Sequence, residues 1–298
     1  MILENLALFL RIVEKGALAP AGRELGLSPA SVSERLAALE RYYGAALLHR
    51  TTRAISLTDE GRHLVQGARR LLAEADELEA LIRLGVDKVS GPIRLSAPID
   101  LGRSTIVPIL DGFLAEHPEV TLDLNLTDGY VDLVGQGQDF AIRYGELADS
   151  TLRVRRLMQN RRILCAAPAY LNRRGVPQHP DDLIHHECLV MRYGQTADRD
   201  WPFRINGRER RIAVQGRRIA NDGELVRAWC RDGHGVARKS QLDVEADLKD
   251  GALVELLADF SSGETGLQIV YPATQSQPRR VRLLIERIAE ALSTSDAG

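Results

Sequence analysis

Residues 25 to 61, LGLSPASVSERLAALERYYGAALLHRTTRAISLTDEG, constrain this chain more than any other stretch, because every local signal in them agrees on helix, tight turn, second helix and hairpin. Gly26 ends a short helix, Ser28 stands where an N-cap oxygen satisfies free amides, and Pro29 takes the first helical position, where a missing N–H costs nothing. Val32, Leu36 and Leu39 recur at i, i+4 and i+7 and define an inward face. Ala30, Ser31, Glu34, Ala38 and Arg41 are left outward, with Ser33 and Arg35 on the flanks. Small and polar outward groups let such a helix lie close in a DNA major groove. An ordinary helical hairpin has the same periodicity, so the following segment decides. Residues 47 to 57 read as two short strands around a basic tip in which Arg50 and Arg53 bracket Thr51 and Thr52, a tip suited to phosphates or the minor groove. The candidate DNA-contacting residues are Ser28, Pro29, Ala30, Ser31, Ser33, Glu34, Arg35, Arg50, Thr51, Thr52 and Arg53.

With LLHRTTRAISLTDEG at residues 47 to 61, the segment resembles the DNA-binding domain of LysR-type transcriptional regulators, in particular the proteobacterial subgroup whose wing reads LLHRTTR followed by LT-x-x-G. Two departures stand out. Ser33 is followed by Glu34 where the family commonly carries Arg or Lys; a carboxylate there either accepts from a cytosine amine or is simply solvated. Ala17 replaces the usual capping serine, and Pro20 sits in the first turn of the next helix, which weakens that helix start. Residues 1 to 57 carry seven basic side chains against five acidic ones, and the whole chain has a net charge of −2. The electrostatic footprint on DNA must then be local and must gain from dimerisation.

From Thr58 a long helix is expected to run to about residue 87, with Thr58 as cap and Asp59 and Glu60 in the first turn, where the helix dipole favours carboxylates. Leu64, Ala68, Leu71, Ala75, Leu78 and Ile82 alternate steps of four and three, the spacing of a coiled-coil seam. A buried helix of a monomer shows the same pattern. Behind a winged helix it reads better as a dimerising linker, since paired half-sites need a two-fold protein. The helix is expected to end near Gly85, and Ser90, Gly91 and Pro92 mark a hinge.

Beyond the hinge, a strand over residues 93 to 98, a helix carrying Ile106, Leu110, Phe113 and Leu114, and strands over residues 120 to 126 and 139 to 145 form the unit of a parallel sheet. Further strands are expected at residues 162 to 166, 212 to 214, 216 to 220, 235 to 239 and 267 to 271, with helices at 224 to 231 and 279 to 292. This half also resembles the LysR-type effector domain, in Ser96-Ala97-Pro98, Val131-Asp132-Leu133-Val134, Asp139-Phe140-Ala141-Ile142-Arg143 and the Leu164 to Leu171 run LCAAPAYL. The resemblance implies two Rossmann-like subdomains of the periplasmic-binding-protein kind. The expected organisation is a winged helix-turn-helix at 1–57, a linker helix at 58–89 and an α/β effector domain at 90–298. Within the last, subdomain I takes about 90–160 and 267–298, and subdomain II about 161–266.

In open α/β sheets small molecules bind at the carboxyl ends of strands. Three such ends are legible: Pro98, Ile99, Asp100 and Leu101; Thr127, Asp128 and Gly129; and Asn221, Asp222 and Gly223. For Asp100 and Asp222 helix capping is the favoured reading over ligand contact. Arg143, at a strand end, either pairs a ligand carboxylate in bidentate fashion or an internal Asp. The resemblance implies a small effector between the subdomains, often an organic acid or aromatic metabolite, and a homodimer or homotetramer. Cys165, Cys188 and Cys230 are odd in number and lack CxxC spacing, so buried reduced thiols are expected. His185-His186-x-Cys188 lacks a second ligand pair for a metal. There is no P-loop, no GxGxxG after a strand and no GxSxG elbow, so neither a cofactor nor an enzymatic activity is expected. No apolar run is long enough to span a bilayer and no secretory leader pattern opens the chain, which points to the cytoplasm. The reading is a DNA-binding regulator with a small-molecule effector; the rivals are a sensor with weakened DNA binding and a solute-binding protein.

Overall fold

The computed structural model describes residues 2–50, 55–84, 89–145, 152–273 and 277–295. Helices α1 (Ile2–Lys15), α2 (Leu18–Glu24) and α3 (Pro29–Tyr43) close around Leu6, Leu8, Phe9, Ile12, Ala21, Val32, Leu36 and Leu39, so the periodicity of α3 is used as its sequence foretells. Ser28 Oγ accepts from Ser31 N–H at 3.2 Å, and Gly26 turns the chain at φ +66°. Ala17 provides no side-chain cap, and the end of α2 is instead tied back by the Lys15–Glu24 ion pair at 2.9 Å.

Strands β1 (Leu48–Arg50) and β2 (Ile55–Leu57) pair antiparallel. The tip residues Thr51, Thr52 and Arg53 lie outside the described residues. Thr58 welds this hairpin to the next helix: its hydroxyl donates to Ala46 O at 2.7 Å and accepts from Gly61 N–H at 2.9 Å. Gly61 lies against the Leu47 carbonyl where any Cβ would collide, which is the physical reason for glycine in the LT-x-x-G pattern.

Helix α4 (Asp59–Leu84) does not present one continuous seam. Val65 and Ala68 are buried in the core of the winged helix, with Leu64 and Leu72 packed against it, because the first turns of α4 complete that domain. Further along, Leu71, Leu78 and Ile82 are 49, 59 and 73% exposed. The expected stop at Gly85 lies outside the described residues. Arg69 of α4 donates to Val134 O at 3.0 Å, and Arg94 faces Glu14 of α1 at 3.5 Å, so both α4 and α1 touch the α/β half.

That half holds two sheets. The first combines β3 (Gly91–Ala97), β4 (Val120–Leu126), β5 (Phe140–Tyr144), β6 (Leu152–Met158) and the late strand β15 (Leu267–Pro272) in the order β4-β3-β5-β15-β6. β3 runs parallel to β4 and β5, whereas β15 is antiparallel to both its neighbours. The sheet is therefore mixed where a parallel one is expected, because β15 enters from the second sheet against the direction of the opening βαβ unit. Ile93, Leu95, Phe140, Ile142 and Ile269 pack beneath α6 (Val107–Glu116) and α10 (Arg279–Ser295). Before α6, the short α5 (Ile99–Leu101) passes through one π-helical turn, Gly102–Ile106, a break the sequence pattern does not show.

The second sheet has the order β12-β8-β13-β7-β14. Its strands are β7 (Arg162–Ala166), β8 (Cys188–Tyr193), β12 (Arg218–Ala220), β13 (Val236–Ser240) and β14 (Val254–Leu256), with β9 (Thr196–Ala197) beside β8. Around it stand α7 (Pro168–Arg174), α8 (Gly223–Arg231) and α9 (Gln241–Lys249). The strand expected at 212 to 214 is the end of β11 (Arg208–Ala213), which pairs with β10 (Asp200–Ile205) in a separate hairpin. The one expected at 216 to 220 is only three residues long. The three cysteines are free and buried.

Candidate functional site

Two places in the structure carry chemistry. The first is the outer face of α3, where Ser28, Pro29, Ala30, Ser33 and Glu34 are exposed while Ser31 and Arg35 are half-buried. Ser31 is engaged with Ser28, and Arg35 lies 3.6 Å from Glu4, so part of the small cationic supply of this face is already countered from α1. Glu34 is exposed to solvent. Glu40, lower on the helix, accepts from Leu47 N–H at 3.0 Å and fixes the hairpin relative to α3.

The second is a cavity of about 270 Å³ between the two sheets. Its floor is apolar, formed by Val131, Leu133, Ala141, Leu152 and Val270. Its walls carry Arg143 from β5 on one side, and Arg162 from β7 with Arg238 and Lys239 from β13 on the other. A dense polar network that joins the sheets shares Tyr144, Lys239 and Asp243 with the cavity lining. Lys239 is 4% exposed and donates to Asp100 at 2.9 Å and to Gly223 O at 2.9 Å, and it pairs Asp243 at 3.2 Å. Arg227 of α8 reaches Asp100 at 3.1 Å and Asp247 at 2.6 Å. Tyr144 OH donates to Asp243 at 2.8 Å. Burial works against the charge on Lys239, but Asp243 and Asp100 outweigh it and hold its pKa above the usual lysine value. Burial raises the Asp243 carboxyl and pushes the Tyr144 phenol well up, which keeps that phenol a hydrogen-bond donor.

Arg143 behaves differently from Lys239. Its Nη1 donates to Thr127 O at 2.7 Å and its Nη2 to Ser96 Oγ at 3.3 Å, with no carboxylate within 4 Å among the described residues. Burial lowers its pKa, while the nearby charge of Asp128 acts the other way. Asp128 is itself occupied, accepting from Ile99 N–H at 3.1 Å and from Gly223 N–H at 2.8 Å.

Of the eleven residues at strand ends, Pro98, Asp128, Gly129, Arg143 and Gly223 line the cavity. Ile99, Leu101, Thr127, Asn221 and Asp222 do not line it; Thr127 orients Arg143, and Asp222 caps α8 by accepting from Leu225 N–H at 3.0 Å. Asp100 is neither a cap nor a lining residue but the carboxylate that crosses from α5 into the second sheet. Sequence reasoning missed Tyr144, Arg162, Tyr193, Arg238, Lys239 and Asp243. Arg162 and Lys239 belong to expected strands, and the signal that could have found them is a basic residue at the end of an otherwise apolar run. His186 meets Tyr170 OH at 3.2 Å, and no group of metal-ligating side chains occurs among the described residues. No helix among them is long and apolar enough to cross a membrane.

A family model described as "Bacterial regulatory helix-turn-helix protein, lysR family" matches residues 3–62, and one described as "LysR substrate binding domain" matches residues 87–293. The HTH-type transcriptional regulator DmlR of Escherichia coli (strain K12) is 32% identical over 285 residues, which cover 96% of this chain and 92% of that protein. The solved structure of CrgA, a LysR-type transcriptional regulator from Neisseria meningitidis, is 30% identical with a TM-score of 0.63 and covers 97% of this chain and 98% of its own. Full-length LysG from Corynebacterium glutamicum with bound effector Arg shares the fold, with a TM-score of 0.69 at 24% identity over 99% of both chains. With both domains matched and the likeness running along nearly its whole length, the chain is a member of the LysR-type transcriptional regulators, a DNA-binding regulator with an effector-binding domain and not an enzyme.

Proposed function

We propose that this regulator reads operator DNA as a two-fold dimer through the outer face of α3 and the wing, and that a small organic acid between its two sheets sets that binding. The observation that carries the second half is Arg143: a half-buried guanidinium on the wall of a cavity with no carboxylate of its own chain within 4 Å among the described residues. A half-buried cation in that situation gains from a ligand carboxylate, which a guanidinium can grip with two parallel N–H donors. Leu71, Leu78 and Ile82 support the dimer, since three large apolar side chains in line on one helix are stabilised by a partner. The DNA-contacting set remains Ser28 to Ala30, Ser31, Ser33, Glu34, Arg35 and the wing residues 50 to 53. Functional limits are proposed at 1–57, 58–89 and 90–298, with subdomains at about 90–160 plus 267–298 and about 161–266. Assembly to a tetramer and action in the cytoplasm, where the DNA is, complete the reading.

Ligand binding would pull the sheets together across the cavity, and closure would shift the packing of the dimers and the spacing of bound half-sites. The test is a carboxylic-acid screen by melting shift, followed by footprints with and without the acid that scores. Arg143→Ala should lose the response and keep the apo footprint, because α3 and the wing are elsewhere. An unchanged response removes Arg143 from the site. A second reading, a sensor with weakened sequence reading, is favoured by exposed Glu34 and by Glu4 beside Arg35; a footprint no stronger on operator than on unrelated DNA would select it.

A further inference from the structure

The cavity has a second guanidinium with no carboxylate in direct contact among the described residues, although the charges of Asp198 and Asp243 act on it from farther off. Arg162 stands on β7, in the sheet opposite, and its Nη1 donates to Tyr193 OH at 3.0 Å while the guanidinium carbon sits 5.9 Å from the centre of that ring. No carboxylate lies within 4 Å of it among the described residues. The other charges of the cavity are spoken for. Arg238 pairs Asp198 at 3.2 Å, Lys239 is shared by Asp100 and Asp243, and both oxygens of Asp128 take backbone N–H groups. What remains is one cation on each wall without a contacting carboxylate among the described residues, in a cavity also lined by the hydrocarbon of Val131, Leu133, Leu152 and Val270.

We infer that the effector is a dianion, a small dicarboxylate with a hydrocarbon spine whose two ends are taken by Arg143 on one sheet and Arg162 on the other. This rests on the reading of the cavity as an organic-acid site and narrows it. Two like charges facing each other across a low-dielectric gap repel and favour an open cleft; a dianion neutralises both and turns the repulsion into a bridge. A monoanion satisfies one wall and leaves the other cation half-buried without a contacting carboxylate. Each guanidinium has five N–H donors, of which Arg143 spends two and Arg162 one on the protein, so donors remain on both for a carboxylate. A cavity of about 270 Å³ is small for a ligand site and fits a short chain with two carboxylates.

The experiment is titration calorimetry of the full chain at fixed ionic strength with succinate, glutarate and adipate, against butyrate, valerate and hexanoate, and with the half-amide succinamate. The diacid of the fitting length should bind at least about tenfold more tightly than its monoacid. Arg162→Gln should erase that advantage, leaving mono- and diacid alike, while Arg143→Gln weakens both. If a monoacid binds the unmodified protein as tightly as its diacid, or if folded Arg162→Gln keeps the preference, the dianion is refuted and the organic-acid site stands. If no acid of the panel binds at all, the organic-acid reading falls with it. The comparison on the unmodified chain needs no variant to fold.

Discussion

Lys239→Met tests the polar network at the cavity wall. In the folded protein this ammonium is 4% exposed and serves Asp100, Asp243 and the Gly223 carbonyl together. Met keeps most of the length and removes the charge, so two buried carboxylates lose their cation and one carbonyl loses its donor. Breaking a buried pair by removing one partner costs about 3–5 kcal/mol. Asp100 keeps Arg227 at 3.1 Å and Asp243 keeps the Tyr144 hydroxyl at 2.8 Å, which places the pair loss at the lower end, about 3 kcal/mol. The orphaned Gly223 carbonyl adds about 1 kcal/mol. A loss of about 4 kcal/mol lowers the melting temperature of a domain this size by roughly 8–16 °C. Both tryptophans, Trp201 and Trp229, lie with the second sheet, so their fluorescence in a urea series reports the unfolding of the part that carries Lys239. Adding Asp243→Asn to Lys239→Met should recover part of the loss, since the amide needs no counter-ion. A cost below about 1 kcal/mol for Lys239→Met, or additive effects in the double variant, would refute the claim that these charges act as one unit.

Leu71→Asp with Leu78→Asp should separate the dimer by placing charges on the exposed apolar row of α4 while leaving the winged-helix core intact; light scattering reads it, and an unaltered oligomer removes the seam. Arg53→Ala should weaken binding to all DNA and flatten the salt dependence by about one unit, while Glu34→Arg should steepen it by about the same amount; substitutions at Ser31 should change which sequence is preferred instead. Asp182 accepts from the backbone N–H groups of His179 and Gln178, both at 2.9 Å, and these hold its carboxyl below the usual value. A depressed folded-state pKa contributes stability above the unfolded value and loses it as pH falls through the folded one. Asp182→Asn should therefore lower the urea midpoint at neutral pH by an amount that shrinks below about pH 4, and a difference constant with pH would contradict this.

The winged helix was legible because it is local: the caps, the three apolar positions of α3 and the LT-x-x-G turn all act within a few residues of one another. The seam on α4 was only half legible, since Leu64 and Leu71 sit in one heptad row and nothing in the row says that the first completes a domain core and the second faces outward. In the α/β half, strands with a buried apolar run such as β5 and β7 announced themselves. β6, LRVRRLM, did not, because an edge strand with exposed arginines shows little apolar pattern. The same limit governed the cavity. Arg143 was found at a strand end, but Arg162 and Lys239 matter only because β7 and β13 pair and face a sheet whose last strand arrives more than a hundred residues after its first. Asp100 read as a cap for the same reason: its partners Lys239 and Arg227 are far along the chain.

Footprinting on the DNA beside the protein's own gene, at a stated salt concentration and with and without the acid identified by calorimetry, tests the central claim most directly. Protection is expected over two dyad-related half-sites centred about one helical turn apart or a multiple of it, with a spacing or bend that changes when the acid is added and does not change in Arg143→Ala. Protection indistinguishable from that on unrelated DNA, or a footprint indifferent to the bound acid, would contradict it.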